Sequence, residues 1–168
     1  ANASYGQSIV SYTGNGTASA TVAHGLSAKP EMIIIKNRSS ATNWYVYHEG
    51  LHASSPEDYR LLLNTTEATT SNTTGNSLQG TAPTNSLFTL GNGSWVNENN
   101  SALIAYCFHS VTGYSKFGTY NGTGNASGPT VTTGFAPAFV ITKGTSGDMT
   151  HQHWTIRDNT RGPSKGLQ

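Results

Sequence analysis

The strongest constraint on this chain is that it states one pattern twice. The first copy runs Tyr12-Thr13-Gly14-Asn15-Gly16, then Thr21-Val22-Ala23-His24-Gly25-Leu26. It continues with Pro30-Glu31-Met32-Ile33-Ile34-Ile35-Lys36 and Trp44-Tyr45-Val46-Tyr47. The second runs Tyr120-Asn121-Gly122-Thr123-Gly124, then Thr130-Val131-Thr132-Thr133-Gly134-Phe135. Pro137-Ala138-Phe139-Val140-Ile141-Thr142-Lys143 and Trp154-Thr155-Ile156-Arg157 complete it. Each copy holds a glycine turn, a short strand ending in Gly plus a large apolar residue, a proline, an apolar run closed by Lys, and a tryptophan strand. Self-similarity of this kind marks a supersecondary unit reused to build a core or a surface. The copies keep turns, apolar residues and tryptophans, while His24 becomes Thr133 and Glu31 becomes Ala138. What is repeated is scaffold.

Each copy is expected to fold as a β-hairpin. Residues 32–36 form a continuous apolar run after a proline, the pattern of a strand buried on both faces. Residues 43–48 alternate Trp44 and Val46 against Tyr45 and Tyr47, as a strand with one face inward does. Further strands are expected at residues 87–90 and 103–108. The run Ser55-Pro56-Glu57-Asp58-Tyr59-Arg60-Leu61-Leu62-Leu63 carries helix-start signals and predicts one short helix, with Glu57 and Asp58 as first-turn acids. Residues 65–83 lack periodicity and read as an exposed functional or mobile loop. The expected fold is all-β: an antiparallel, jelly-roll-like β-sandwich over residues 1–168, with repeated hairpin units at about 12–48 and 120–158. The second copy has no counterpart to residues 51–108. Either its hairpin takes a pseudo-equivalent place in one sandwich or it begins a further unit of an array.

Composition agrees with an all-β chain. Charged residues are 10%, and 19 glycines accompany abundant Ser, Thr and Asn, the residues that turns require. At 168 residues one domain with a real core is expected. The formal net charge of +1 offers no electrostatic footprint for nucleic acid or acidic membranes. No apolar stretch reaches the roughly 20 residues of a membrane span, and the start has no signal-peptide pattern. The single Cys107 excludes an intrachain disulfide and reads as a buried, inert thiol.

Motifs for catalysis are weak. Eight acidic residues give no singled-out glycosidase pair. Glu49 and Asp158 end the two tryptophan strands at matching places and suggest structural contacts with Arg38 or Arg161. His151-x-His153 has strand spacing that suits a metal, yet no third ligand is indicated and surface histidines are the expected reading. The glycine turns precede β-like segments, so they are not phosphate cradles. Gly-x-Ser-x-Gly is absent. Asn-x-Ser/Thr sequons run from Asn2 to Asn125 and matter only in a glycosylating host. No catalytic residue, cofactor or metal is expected. Trp95, in a polar tract with Asn97 and Asn99, is the leading candidate for glycan or partner contact, with Tyr59 beside it as a further aromatic.

The repeated residues also support a comparison. Tyr12-Thr13-Gly14-Asn15-Gly16, His24-Gly25-Leu26 and residues 30–38 resemble a repeat domain of tailed-phage virion proteins, as do residues 104–120 and Gly134-Phe135-Ala136-Pro137. Cyanophages and other aquatic phages carry that domain especially often. The resemblance implies a non-enzymatic virion structural protein: a capsid decoration, head-fibre or tail-fibre module acting through subunit packing. It implies other virion proteins as partners, a homo-oligomer with a trimer favoured, and a place on the extracellular particle surface. A lectin-like module binding host-surface glycans is the alternative.

Overall fold

The computed structural model describes residues 1–71, 75–147 and 153–161. The fold is all-β and antiparallel. Its strands are β1 (Gln7–Thr13), β2 (Ala20–Ala23), β3 (Met32–Asn37), β4 (Tyr45–His48) and β5 (Tyr59–Leu62). They continue with β6 (Thr70–Ser71), β7 (Leu87–Leu90), β8 (Ala102–Phe108), β9 (Phe139–Thr142) and β10 (Thr155–Asp158). A single helical turn, α1 (Ser94–Asn97), precedes β8.

The main sheet has the order β1-β8-β3-β4-β5-β6, so the apolar run of β3 lies at its centre. On one face Ile33, Ile35, Tyr45, Tyr47, Leu103, Ala105 and Cys107 are buried in one cluster with Phe88 and Leu90 of β7. The ribbon β2-β7 thus covers this face, joined by Val96 of α1 and by Leu78. The covering layer is two strands and a helical turn. The second hairpin, which could have enlarged it, pairs separately as the sheet β9-β10. On the opposite face a smaller cluster of Met32, Val46 and Leu61 is capped by Leu51, Phe117 and Trp154.

The repeat is real at the level of register. In the first hairpin Met32 pairs with His48, Ile33 with Tyr47, Ile34 with Val46 and Ile35 with Tyr45. In the second, Phe139 pairs with Asp158, Val140 with Arg157, Ile141 with Ile156 and Thr142 with Thr155. The sequence equivalents match pair for pair. The ladder also extends alike beyond each, Glu49 N–H donating to Glu31 O at 2.9 Å and Asn159 N–H to Ala138 O at 3.0 Å.

Several expectations are corrected. The helix expected at residues 55–63 is one 3₁₀ turn at Pro56–Asp58 followed directly by β5. Ser55 makes no side-chain cap hydrogen bond. Leu61 and Leu62 gain more by pairing with Val46 and Tyr45 at the edge of β4, where both are buried and Leu61 joins the outer cluster. The tract at residues 65–83 is not wholly exposed: Ser77 and Leu78 are buried, and Leu78 sits in the main core. The short strand of the second copy at residues 130–133 does not form. Its counterpart β2 exists by pairing with β7, and among the described residues no strand pairs with residues 130–133.

Glu49 and Asp158 prove to be one register position apart and end in different ion pairs. Asp158 meets Arg161 at 2.7 Å as expected, whereas Glu49 pairs with Lys29 at 3.2 Å rather than with Arg38. His151 lies outside the described residues, so the pair with His153 has no structural account here. Among the described residues no helix is long and apolar enough to cross a membrane.

Candidate partner-binding surface

The four residues singled out from the sequence do not converge. Trp95 on α1 is half-buried against the main core, and the Arg60 guanidinium lies 4.8 Å over its ring. A sugar face would have to displace that cation. Tyr59 stacks on His52 with ring centroids 4.5 Å apart. Alternation along β5 places its side chain on the face opposite Arg60, and therefore opposite Trp95.

Asn97, expected at the surface, is only 1% exposed. Its Oδ1 accepts from Asn15 N–H at 2.9 Å, and its Nδ2 lies 2.9 Å from Thr17 O and 3.0 Å from Gly91 O. It is a polar pin joining α1 to the first glycine turn. Asn99 alone of the set is exposed without such a role.

Beside Asn97, Glu98 Oε2 accepts from Asn37 Nδ2 at 2.6 Å, Ser40 Oγ at 2.5 Å and Ser101 Oγ at 2.8 Å. Hydrogen bonds from Ser40, Ser101 and Asn37 hold its carboxyl below the usual glutamate range. This cluster ties α1 to the β3-β4 turn. Around it, Tyr12 Oη donates to Val96 O at 2.7 Å. The region chosen from sequence as a contact site is a structural joint.

The open surface lies elsewhere, on the outer face of the main sheet. The pairs Ile9–Tyr106 and Ser11–Ile104 place these side chains together on the face away from the main core. A groove there is lined by Lys36, Arg38, Ser39, Trp44, Ile104 and Tyr106. A second hollow continues it along Gln7, Ile9, Tyr106 and Phe108. Ile9 is 61% exposed. Lys36 Nζ is turned into the hairpin loop, donating to Thr42 O at 2.8 Å and Ser40 O at 3.3 Å, so among the described residues lining the groove Arg38 is the free cation. Period-two alternation in residues 7–13 and 102–108 was the signal that could have identified this strip.

Burial pushes the Cys107 thiol up to about 12, so it stays a protonated, inert group as expected. Among the described residues no three His, Cys, Asp or Glu gather closely enough to hold a metal ion.

The arrangement is an all-β scaffold with an open, partly apolar face on its main sheet. By its sequence, the chain belongs to the family described as Domain of unknown function (DUF7483), which matches residues 1–168. Comparison with curated proteins finds no match, and comparison with solved structures finds none either.

Proposed function

We propose that this chain is a non-enzymatic structural module of a tailed-phage virion, acting as a capsid decoration, head-fibre or tail-fibre element through packing against neighbouring subunits. One observation carries the reading: large apolar side chains stay exposed in places that suit contact. Ile9 lies on the open sheet face, Tyr5 and Tyr114 pack against each other as a tilted pair with centroids 4.9 Å apart, and Tyr120, Val131, Phe139 and Val140 mark the second repeat. Exposed aromatic side chains held together, as Tyr5 and Tyr114 are, are characteristic of protein interfaces. The resemblance of residues 104–120 to virion repeat domains supplies the setting, and a homotrimer is the favoured assembly. Locating the chain in a reconstruction of the intact particle is the test. An ordered position touching capsid or tail neighbours is expected, and absence from purified particles refutes the reading. In solution, a species of three times the 17.7 kDa chain mass is expected.

A lectin-like reading draws support from the groove of Trp44, Tyr106 and Arg38, where rings and a cation could meet a sugar. Glycan-array binding that is lost in W44A and kept in W95A supports it. No binding to any host glycan refutes it.

A further inference from the structure

We propose that β9 is a receptor edge, built to accept a β8-type strand from outside residues 1–168. The argument is the internal twin. In the first copy β3 has two neighbours, β4 and β8, and β8 in turn carries β1. The second copy repeats β3 and β4 as β9 and β10 in the same register, yet β9 has no second neighbour among the described residues. The twin therefore shows what belongs on that edge: a strand patterned like Ala102–Phe108, with Leu103, Ala105 and Cys107 facing inward.

The side chains of β9 agree. Phe139 and Val140 are 56% and 39% exposed, whereas their equivalents Met32 and Ile33 are 7% and 0% exposed. The backbone agrees too. Because Asn159 N–H donates to Ala138 O, alternation of the ladder turns Val140 and Thr142 toward β10, and Phe139 and Ile141 toward the open edge. In the first copy the same alternation turns Met32 and Ile34 toward β8, and Arg38 N–H continues that ladder by donating to Ala102 O at 2.8 Å.

Natural edges carry charges, prolines or bulges that discourage pairing. The strand Phe139-Val140-Ile141-Thr142 carries none. A hairpin of two strands is marginal by itself, so an added strand also completes its core. Residues 115–121, the counterpart of β1, form no strand beyond the single bridge at Ser115. They would then flank the incoming strand as β1 flanks β8.

The donor is not β8 of an intact second copy of these residues. That β8 is held between β1 and β3 along its whole length. Main-chain pairing would give affinity and the alternate apolar pockets specificity. The inference stands on repeat geometry and holds whether or not the chain belongs to a virion.

The test uses the full chain and a synthetic peptide of residues 101–110, read by residue-resolved hydrogen exchange. With the peptide, the Phe139 and Ile141 amides are expected to exchange at least tenfold more slowly, while Met32 and Ile34 do not change. V140D, at an exposed position, should abolish the effect. A second arm carries residues 86–110 again after Gln168 on a flexible linker, which removes any dependence on peptide solubility. Unchanged exchange at Phe139 and Ile141 in this fusion overturns the proposal. Protection that survives V140D, or that falls on β1 and β3 instead of β9, overturns it as well.

Discussion

Replacing Asn97 by Ala distinguishes a structural joint from a contact site. Truncation removes the acceptor for Asn15 N–H and the donor to Thr17 O and Gly91 O. Asn15 and Thr17 are exposed, so water can replace part of that loss; Gly91 is buried. An orphaned buried polar group costs about 1–3 kcal/mol, and a replaced hydrogen bond about 1 kcal/mol. The sum is roughly 3 kcal/mol, which for a chain of this size lowers Tm by roughly 6–12 °C. Urea unfolding followed by tryptophan fluorescence reads it directly, since Trp95 lies two residues away. N99A, at an exposed neighbour, should stay within about 0.5 kcal/mol of the wild type. An N97A cost below about 1 kcal/mol, or an equal cost for N99A, refutes the reasoning.

Three further outcomes follow from named contacts. A Cβ on Gly14 would meet the backbone oxygen of Glu98 at 2.1 Å, while one on Gly118 meets nothing within 4 Å; G14A should cost about 1–3 kcal/mol in chemical unfolding, and G118A about 0.5 kcal/mol or less. His24 is buried, with Nδ1 accepting from Leu26 N–H at 3.1 Å and Nε2 3.1 Å from Thr84 O. That pairing needs a neutral ring, and burial lowers its pKa. The unfolded chain therefore binds the extra proton first, and stability should fall as pH drops below about 6.5. A pH titration of unfolding free energy should show a shallower slope in H24N, with the remainder from His48, whose pKa burial also lowers. Trp154 packs on the outer cluster and donates Nε1–H to Leu62 O at 2.9 Å. In W154A, limited proteolysis at residues 118–147 should quicken at least tenfold while the main sheet keeps its melting temperature.

The hairpins were legible because proline, apolar run, lysine and tryptophan recur in order, and pairing register follows from the pattern of side chains. The central strand β3 was legible for the same reason. What escaped was set by tertiary contact. Ser55, Pro56, Glu57 and Asp58 announce a helix, but the edge of β4 claims Leu61 and Leu62 first. Leu78 is a lone apolar residue in a polar tract and no period reveals that it plugs the core. Trp95 and Asn97 looked available because α1 is a single turn between Gly93 and Glu98, too short to show a helical period. The second copy of the short strand failed because a strand needs a partner, and sequence similarity carries no partner with it.

Among the described residues the second repeat is the first with one neighbour fewer. Residue-resolved hydrogen exchange on the chain reads this strand by strand. Protection should alternate along β9, with Val140 and Thr142 protected by β10 and Phe139 and Ile141 exchanging near the rate of open chain. Along β3, both Ile33 and Ile34 should be protected, because that strand is paired on both sides. Phe139 and Ile141 amides as slow as those of Met32 and Ile34 would contradict it.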